Sequence, residues 1–164
     1  MNRLFSIQAN QQKGHPHMNT VRRLLQNRAS IWSASPNMSA YDALHMMIDA
    51  DVGALMVVEN DALVGIITER DYARRLALQE RSLHDIRIGE VMSQNVIAVN
   101  ADQSLEECMA LMTERHIRHL PVLDGKRPIG MVSIRDVVAH IISEQDFVIE
   151  QLQNYLLDQR TAGA

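Results

Sequence analysis

Short apolar runs alternate with amphipathic stretches along most of the chain, and the alternation recurs. Ile31–Ala34 and Val96–Val99 are brief apolar runs that read as strands. Ala40, Ala43, Leu44, Met47 and Ile48 follow the first, and Leu105, Cys108, Met109 and Met112 follow the second, each set at the spacing of one helix face. Ser39 and Ser104 stand before these helices with Asp42 and Glu107 three residues on. That is a capping-box arrangement, in which a hydroxyl and a carboxyl satisfy free amides at the helix start. Two apolar strands around a polar turn come next: Ala54–Val58 and Leu63–Ile67 about Glu59–Ala62, then Leu120–Leu123 and Ile129–Ser133 about Asp124–Pro128. A second helix is expected to start at Thr68 and again at Ser133. The predicted order is β-α-β-β-α, twice.

A shift of 65 positions aligns Ser35–Leu76 with Asn100–Ile141 without gaps. Met47/Met112, Leu55/Leu120, Val57/Val122, Gly65/Gly130, Arg70/Arg135 and Asp71/Asp136 are identical, and Val52/Ile117, Val64/Ile129 and Thr68/Ser133 keep their chemistry. Agreement concentrated at the apolar phase and at one polar cluster indicates two copies of one unit. Each unit alone is too small to bury its apolar face, so the two are expected to pack sheet to sheet with pseudo-twofold symmetry. The predicted fold class is α+β. Residues 1–18 are expected to be a disordered extension, 19–79 the first repeat, 80–87 a polar linker, 88–143 the second repeat and 144–160 an amphipathic C-terminal helix.

Composition narrows the function classes. The 164 residues are 46% apolar and 4% aromatic with ten Met, so the core is aliphatic and partly Met-filled. The apolar runs are too short to span a bilayer. A net charge of −4 argues against nucleic acid as a partner. The single cysteine, Cys108, permits no internal disulfide and suits a reducing compartment, so the expected localisation is cytoplasmic. It lies on an apolar helix face, as a core thiol does. No P-loop, G-x-S-x-G, H-E-x-x-H or C-x-x-C motif is present. His15, His17 and the pair His116 and His119 lack the further ligands a metal site requires. The chain therefore reads as a non-enzyme without a catalytic cofactor. In the C-terminal helix, Val148, Ile149, Leu152, Tyr155 and Leu156 form an apolar stripe, which predicts either packing on its own module or docking on a second subunit.

The repeated polar cluster is Gly65-Ile-Ile-Thr68-Glu69-Arg70-Asp71 and Gly130-Met-Val-Ser133-Ile134-Arg135-Asp136. Thr68 or Ser133 at the N-cap, with Asp71 or Asp136 three residues later, closes a capping box. Capping does not explain Arg70 and Arg135, since a cation in the first helical turn opposes the macrodipole. Two copies of the same unfavourable choice point to a demand from outside the helix. Backbone amides, a hydroxyl and an Arg fork suit phosphate, and a neighbouring Asp suits the vicinal hydroxyls of a ribose.

The doubled G-h-h-[ST]-x-x-D unit, with Leu120-Pro121-Val122 before the last strand, resembles a tandem pair of cystathionine-β-synthase (CBS) domains, a Bateman module, of the stand-alone bacterial type. The resemblance covers about Asn19 to Ser143. It implies an adenine-nucleotide ligand (AMP, ADP or ATP, with NAD as a further candidate) and a regulatory role that reports energy or redox state by conformational change. It places ribose contacts on Asp71 and Asp136, with Thr68 and Ser133 beside them, while Arg70 and Arg135 stand as phosphate-directed cations on the reading of the cluster itself. Base-lining and phosphate-reaching segments fall on Asp51–Ala54, including Val52 and Gly53, and on His116–His119 with Arg118, His119 and Pro121. Ile97, in the first strand of the second unit, joins the base-lining set. Arg118 and His119 match Gly53 and Ala54 in the first copy, so two unequal sites are expected, able to hold two ligands or one long one. The apolar stripe over Val148–Leu156 leads to the expectation of a homodimer, with an unidentified protein target. The competing expectation is a ligand-independent interaction scaffold with vestigial pockets.

Overall fold

The computed structural model describes residues 6–7, 20–26 and 31–162. The expectations for His15, His17 and Leu156 fall outside the residues and side chains so described, as does most of the 1–18 extension. From that extension Ser6–Ile7 forms β1. The order continues with α1 (Val21–Leu25), β2 (Ser33–Ala34), α2 (Ala40–Asp49), β3 (Ala54–Glu59), β4 (Ala62–Thr68) and α3 (Glu69–Asp71), which runs into a π-helical turn over Tyr72–Leu76. Then come α4 (Ile88–Val91), β5 (Ile97–Asn100), α5 (Leu105–Arg115), β6 (His119–Asp124), β7 (Arg127–Ser133) and α6 (Ile134–Ala162).

Each repeat builds the same small sheet. β2 lies parallel to β3 and β3 antiparallel to β4, while β5, β6 and β7 repeat the arrangement with β1 added parallel at the β5 edge. Even the irregularities match. The β3–β4 ladder shifts register between Val57 and Val58, and the β6–β7 ladder between Val122 and Leu123, its equivalent position. The β3–β4 turn is made by Asn60 and Asp61 with φ of 51° and 60°. Both residue types tolerate the left-handed region that a tight hairpin demands.

Two cores sit behind the two sheets, and a third lies between them. Met47, Leu55, Val57 and Ile67 belong to the first core, and Met112, Leu120, Val122 and Val132 to the second. Met56 and Leu63 of one repeat meet Val96, Ala98 and Leu123 of the other in the third, so the repeats pack sheet to sheet. Cys108 is fully buried in the second core, and its thiol is pushed up to about 12 by burial and then by Glu107 and Glu106. It stays protonated and unreactive at neutral pH.

The repeats also exchange their first helices. Val21 and Arg22 of α1 donate backbone hydrogen bonds to Gln103 and Ala101 of the second repeat, and Val21 is buried in the second core. Ile88 and Gly89 of α4 donate to Met38 and Pro36 of the first repeat, and Ile86 and Ile88 are buried in the first core. The linker expected over 80–87 is therefore anchored at Ile86. The exchange accounts for the glycine that opens each polar cluster. A Cβ on Gly65 would collide with the Met92 side chain that follows α4, and one on Gly130 would stand 2.8 Å from Leu25 Cδ2 of α1.

Beyond the polar cluster the repeats diverge. In the first, Tyr72 donates its hydroxyl to the Ala40 carbonyl at 2.7 Å, Leu76 is buried, and the helix ends. In the second, α6 runs on for 29 residues, so the C-terminal helix expected over 144–160 is the distal part of one continuous helix. Among the described residues no helix is long and apolar enough to cross a membrane.

Candidate functional site

Where β4 feeds α3, Thr68 accepts from the Asp71 amide, and Asp71 Oδ2 accepts from both the Thr68 hydroxyl, at 2.7 Å, and the Thr68 amide, at 2.9 Å. Where β7 feeds α6, Ser133 and Asp136 make the same set at 2.6 and 2.8 Å. One carboxylate oxygen thus does the capping in each repeat. The Asp71 Oδ1 lies 3.5 Å from Arg75 Nε, whose guanidinium also donates to the Val91 carbonyl at 2.8 Å. His140 occupies the equivalent position behind Asp136, with its Nε2 3.5 Å from Glu144 Oε1.

The two clusters open into one cleft across the pseudo-twofold axis. Its larger pocket, about 680 Å³, is lined by Ser133, Arg135 and Asp136 of the second repeat and by Trp32, Ile48 and Asp51–Ala54 of the first. The smaller, about 220 Å³, is lined by Thr68, Arg70 and Asp71 of the first repeat and by Ser93, Asn95, Val96, Ile97 and Ile117 of the second. Gly53, Glu69, Arg118 and His119 line both. Each pocket therefore joins the polar cluster of one repeat to the first strand and pre-strand segment of the other.

Eleven of the twelve residues singled out from sequence line this cleft: Thr68, Arg70, Asp71, Ile97, Arg118 and His119 around the smaller pocket, and Val52, Gly53, Ser133, Arg135 and Asp136 around the larger. Pro121 lines neither. It is buried in β6 opposite Met131. Trp32 was missed, although it is the repeat-equivalent of Ile97 and the only tryptophan in the chain. Ser93 and Asn95 carried no signal of their own, and Glu69 was marked only by its mismatch with Ile134, one of the differences behind the expectation of unequal sites.

The arginines have a structural partner as well as a ligand-facing position. Arg70 crosses the cleft to donate to the His116 carbonyl at 3.1 Å. Arg135 reaches Asp51 of the other repeat at 4.0 Å, a loose pair in which both side chains are exposed. His116 and Asp51 are equivalent residues, both in the left-handed region just past α5 and α2, with φ of 53° and 50°. A cation there complements the negative end of a helix dipole. Part of the demand from outside the helix is thus met by the opposite repeat.

His119 is half-buried on the axis. Burial, reinforced by Arg118, lowers its pKa, so its imidazole is neutral at neutral pH and either ring nitrogen can hydrogen-bond. His116 is exposed at its helix end, and among the described residues no group of three metal-ligating side chains is assembled.

Strand order, exchanged helices and doubled cap cluster together define a paired-repeat α+β fold with an inter-repeat cleft. Residues 21–78 and 88–143 each match the CBS domain family. The chain belongs to the CBS-domain proteins, as a tandem pair or Bateman module. A protein with CBS domains from Burkholderia ambifaria shares the fold with a TM-score of 0.73 and 46% identity, over 77% of this chain and 96% of that one. The mitochondrial CBS domain-containing protein CBSX3 of Arabidopsis thaliana is 40% identical over 131 residues, which are 77% of this chain and 63% of that protein's length. The CBS domain pair of protein MJ0100, in complex with 5′-methylthioadenosine and S-adenosyl-L-methionine, shares 26% identity and a TM-score of 0.68 over 77% of this chain and 98% of that one.

Proposed function

We propose that the chain is a regulatory module that binds an adenine nucleotide (AMP, ADP or ATP, with NAD as a further ligand) in the inter-repeat cleft and acts by conformational change rather than by catalysis. The observation that carries this reading is the convergence of three chemistries on the larger pocket: the Ser133–Asp136 pair for a ribose, Arg118, His119 and Arg135 for a phosphate, and an apolar wall of Trp32, Ile48 and Val52 for a base. The adenosine-derived ligands of the MJ0100 pair support the same class of ligand. Thermal denaturation tests it. A nucleotide present at about a hundredfold over its Kd stabilises the native state by roughly 2.7 kcal/mol, visible as a rise in Tm. No rise with any adenine nucleotide would leave the ligand-independent scaffold in its place.

The partner through which such a signal passes is a second copy of the chain, in a cytoplasmic setting. Val138, Ile142, Ile149 and Leu152 are 42–58% exposed along α6, and Phe147, Val148 and Tyr155 add to that surface. In a twofold pair the same helix face meets its equivalent, giving an isologous interface. A ligand then changes the assembly only through different affinities for two arrangements of it. Light scattering at micromolar concentration should give about twice 18.6 kDa. The monomer mass, unchanged by nucleotide, would remove this route.

A further inference from the structure

The cleft offers two pockets but a single set of charges at its axis. Arg118 and His119 have Gly53 and Ala54 as their repeat-equivalents, so the first repeat brings no cation to the shared wall. Glu69 has Ile134 as its equivalent, so the axis also holds one unmatched carboxylate. Its place is well defined. The Glu69 amide donates to the Gly53 carbonyl at 3.1 Å. Oε2 of Glu69 lies 3.2 Å from the point where a Gly53 Cβ would stand, and Cε1 and Nε2 of His119 each lie 3.3 Å from the same point. Carboxylate and imidazole therefore flank one spot above the Gly53 backbone, on the wall common to both pockets.

This bears on what the cleft accepts. A drug-sized or nucleotide-sized ligand needs about 300–1,000 Å³. The larger pocket, about 680 Å³, falls in that range and the smaller, about 220 Å³, falls below it. One phosphate on Arg118 and His119 uses the one cation, Arg118, and the neutral imidazole donor that either pocket could offer at the axis. Arg70 and Arg135 are turned from the axis to the His116 carbonyl and to Asp51, so a second anion, or the further phosphates of a longer chain, meets Glu69 on the shared wall with no further cation there. We propose that Glu69 makes the cleft selective for one nucleoside monophosphate per chain, seated in the larger pocket, by excluding both a second anionic ligand and a di- or triphosphate tail. The inference rests on the nucleotide-binding reading above and adds to it a stoichiometry and a charge class.

Titration calorimetry of the full chain with AMP and with ATP, without divalent cations, tests it. Trp32 fluorescence serves as a second readout, because the only tryptophan lines the larger pocket. The wild-type chain should bind one AMP and prefer AMP to ATP by on the order of tenfold, the scale of one like charge at close range. Glu69→Gln keeps the size of an exposed side chain and removes its charge. It should erase about tenfold of the preference through tighter ATP binding. Two AMP per wild-type chain, or an unchanged AMP-to-ATP ratio in Glu69→Gln, would overturn the proposal while leaving the nucleotide reading intact. No heat and no fluorescence change with either nucleotide would overturn both.

Discussion

Thr68 and Ser133 hold Asp71 and Asp136 by the same hydrogen bonds, and Glu69 and Ile134 both donate their amides to equivalent carbonyls, those of Gly53 and Arg118, at 3.1 and 2.9 Å. Yet the side chains at these two pairs differ completely in charge. The scaffold positions of the repeats agree because each must close the same sheet, cap the same helix and accept an exchanged helix from the other. The cleft positions outside the doubled polar cluster are released from that requirement. Arg118 and His119 against Gly53 and Ala54, Glu69 against Ile134, and Trp32 against Ile97 all differ. Symmetry here is a property of the fold, and asymmetry a property of the site.

The strongest way to break this comparison is through the cores. Leu55 and Leu120 are equivalent and both fully buried. Truncation of either to Ala should cost about 2–5 kcal/mol in urea denaturation, and the two costs should agree within about 1 kcal/mol. A variant that leaves stability unchanged at one position only would show that the halves carry unequal shares of the fold. Next are the glycines that admit the exchanged helices. Gly65→Ala places a methyl against both Met92 and the Ser93 backbone, whereas Gly130→Ala meets only the movable end of Leu25. Overpacking should cost about 1–3 kcal/mol, with Gly65→Ala the more severe. Equal costs would mean that the contact of α4 is as yielding as that of α1.

Much of this architecture is visible in the chain itself, because the repeat doubles every signal. Capping boxes at Ser104 and Thr68, strand pairs and the Ser133–Asp136 cluster are local patterns with a local cause, and they fold as patterned. The helix exchange is not local. Val21–Leu25 and Ile88–Val91 are too short to show a face of their own, and their partners lie in the other repeat. The contact of Arg70 was hidden for a different reason: its acceptor is the His116 carbonyl, and a backbone oxygen leaves no mark in the sequence. Pro121 entered the expected site through the family resemblance; it shares the β6 face of His119 by alternation, yet it is buried opposite Met131 and lines neither pocket.

A smaller effect separates cap from ligand. Asp71→Ala and Asp136→Ala each remove a carboxylate that accepts from the N-cap amide, and each should cost about 1 kcal/mol of stability. Binding should respond unequally. Asp136 lines the larger pocket, so its loss should weaken AMP by at least tenfold, the scale of hydrogen bonds to a charged group. Asp71→Ala should leave AMP affinity within about threefold, inside the tolerance of a distant site. Calorimetry on folded variants checks both, and an Asp136→Ala protein that binds AMP as the wild type does would remove the ribose assignment.

The finest distinction is at the axis and depends on pH. Burial lowers the pKa of His119 in the native state, with Arg118 and Arg70 adding to that and Asp136 and Glu69 opposing it. In the unfolded chain the imidazole titrates near its ordinary value of about 6.5. Between the two values the unfolded state holds more protons, so stability rises with pH through that window and is level above it. The contribution is therefore complete at neutral pH and is lost as the pH falls below about 6.5. Ala54, the equivalent residue of the first repeat, has no such dependence, which makes His119→Ala the natural control. The stability difference between wild type and His119→Ala, measured by urea denaturation from about pH 5 to 8, should grow with pH and level off near neutrality. A difference that shrinks as pH rises would mean that His119 is held protonated in the native cleft, paired with Glu69 or Asp136. The axis would then carry its positive charge before any phosphate arrives.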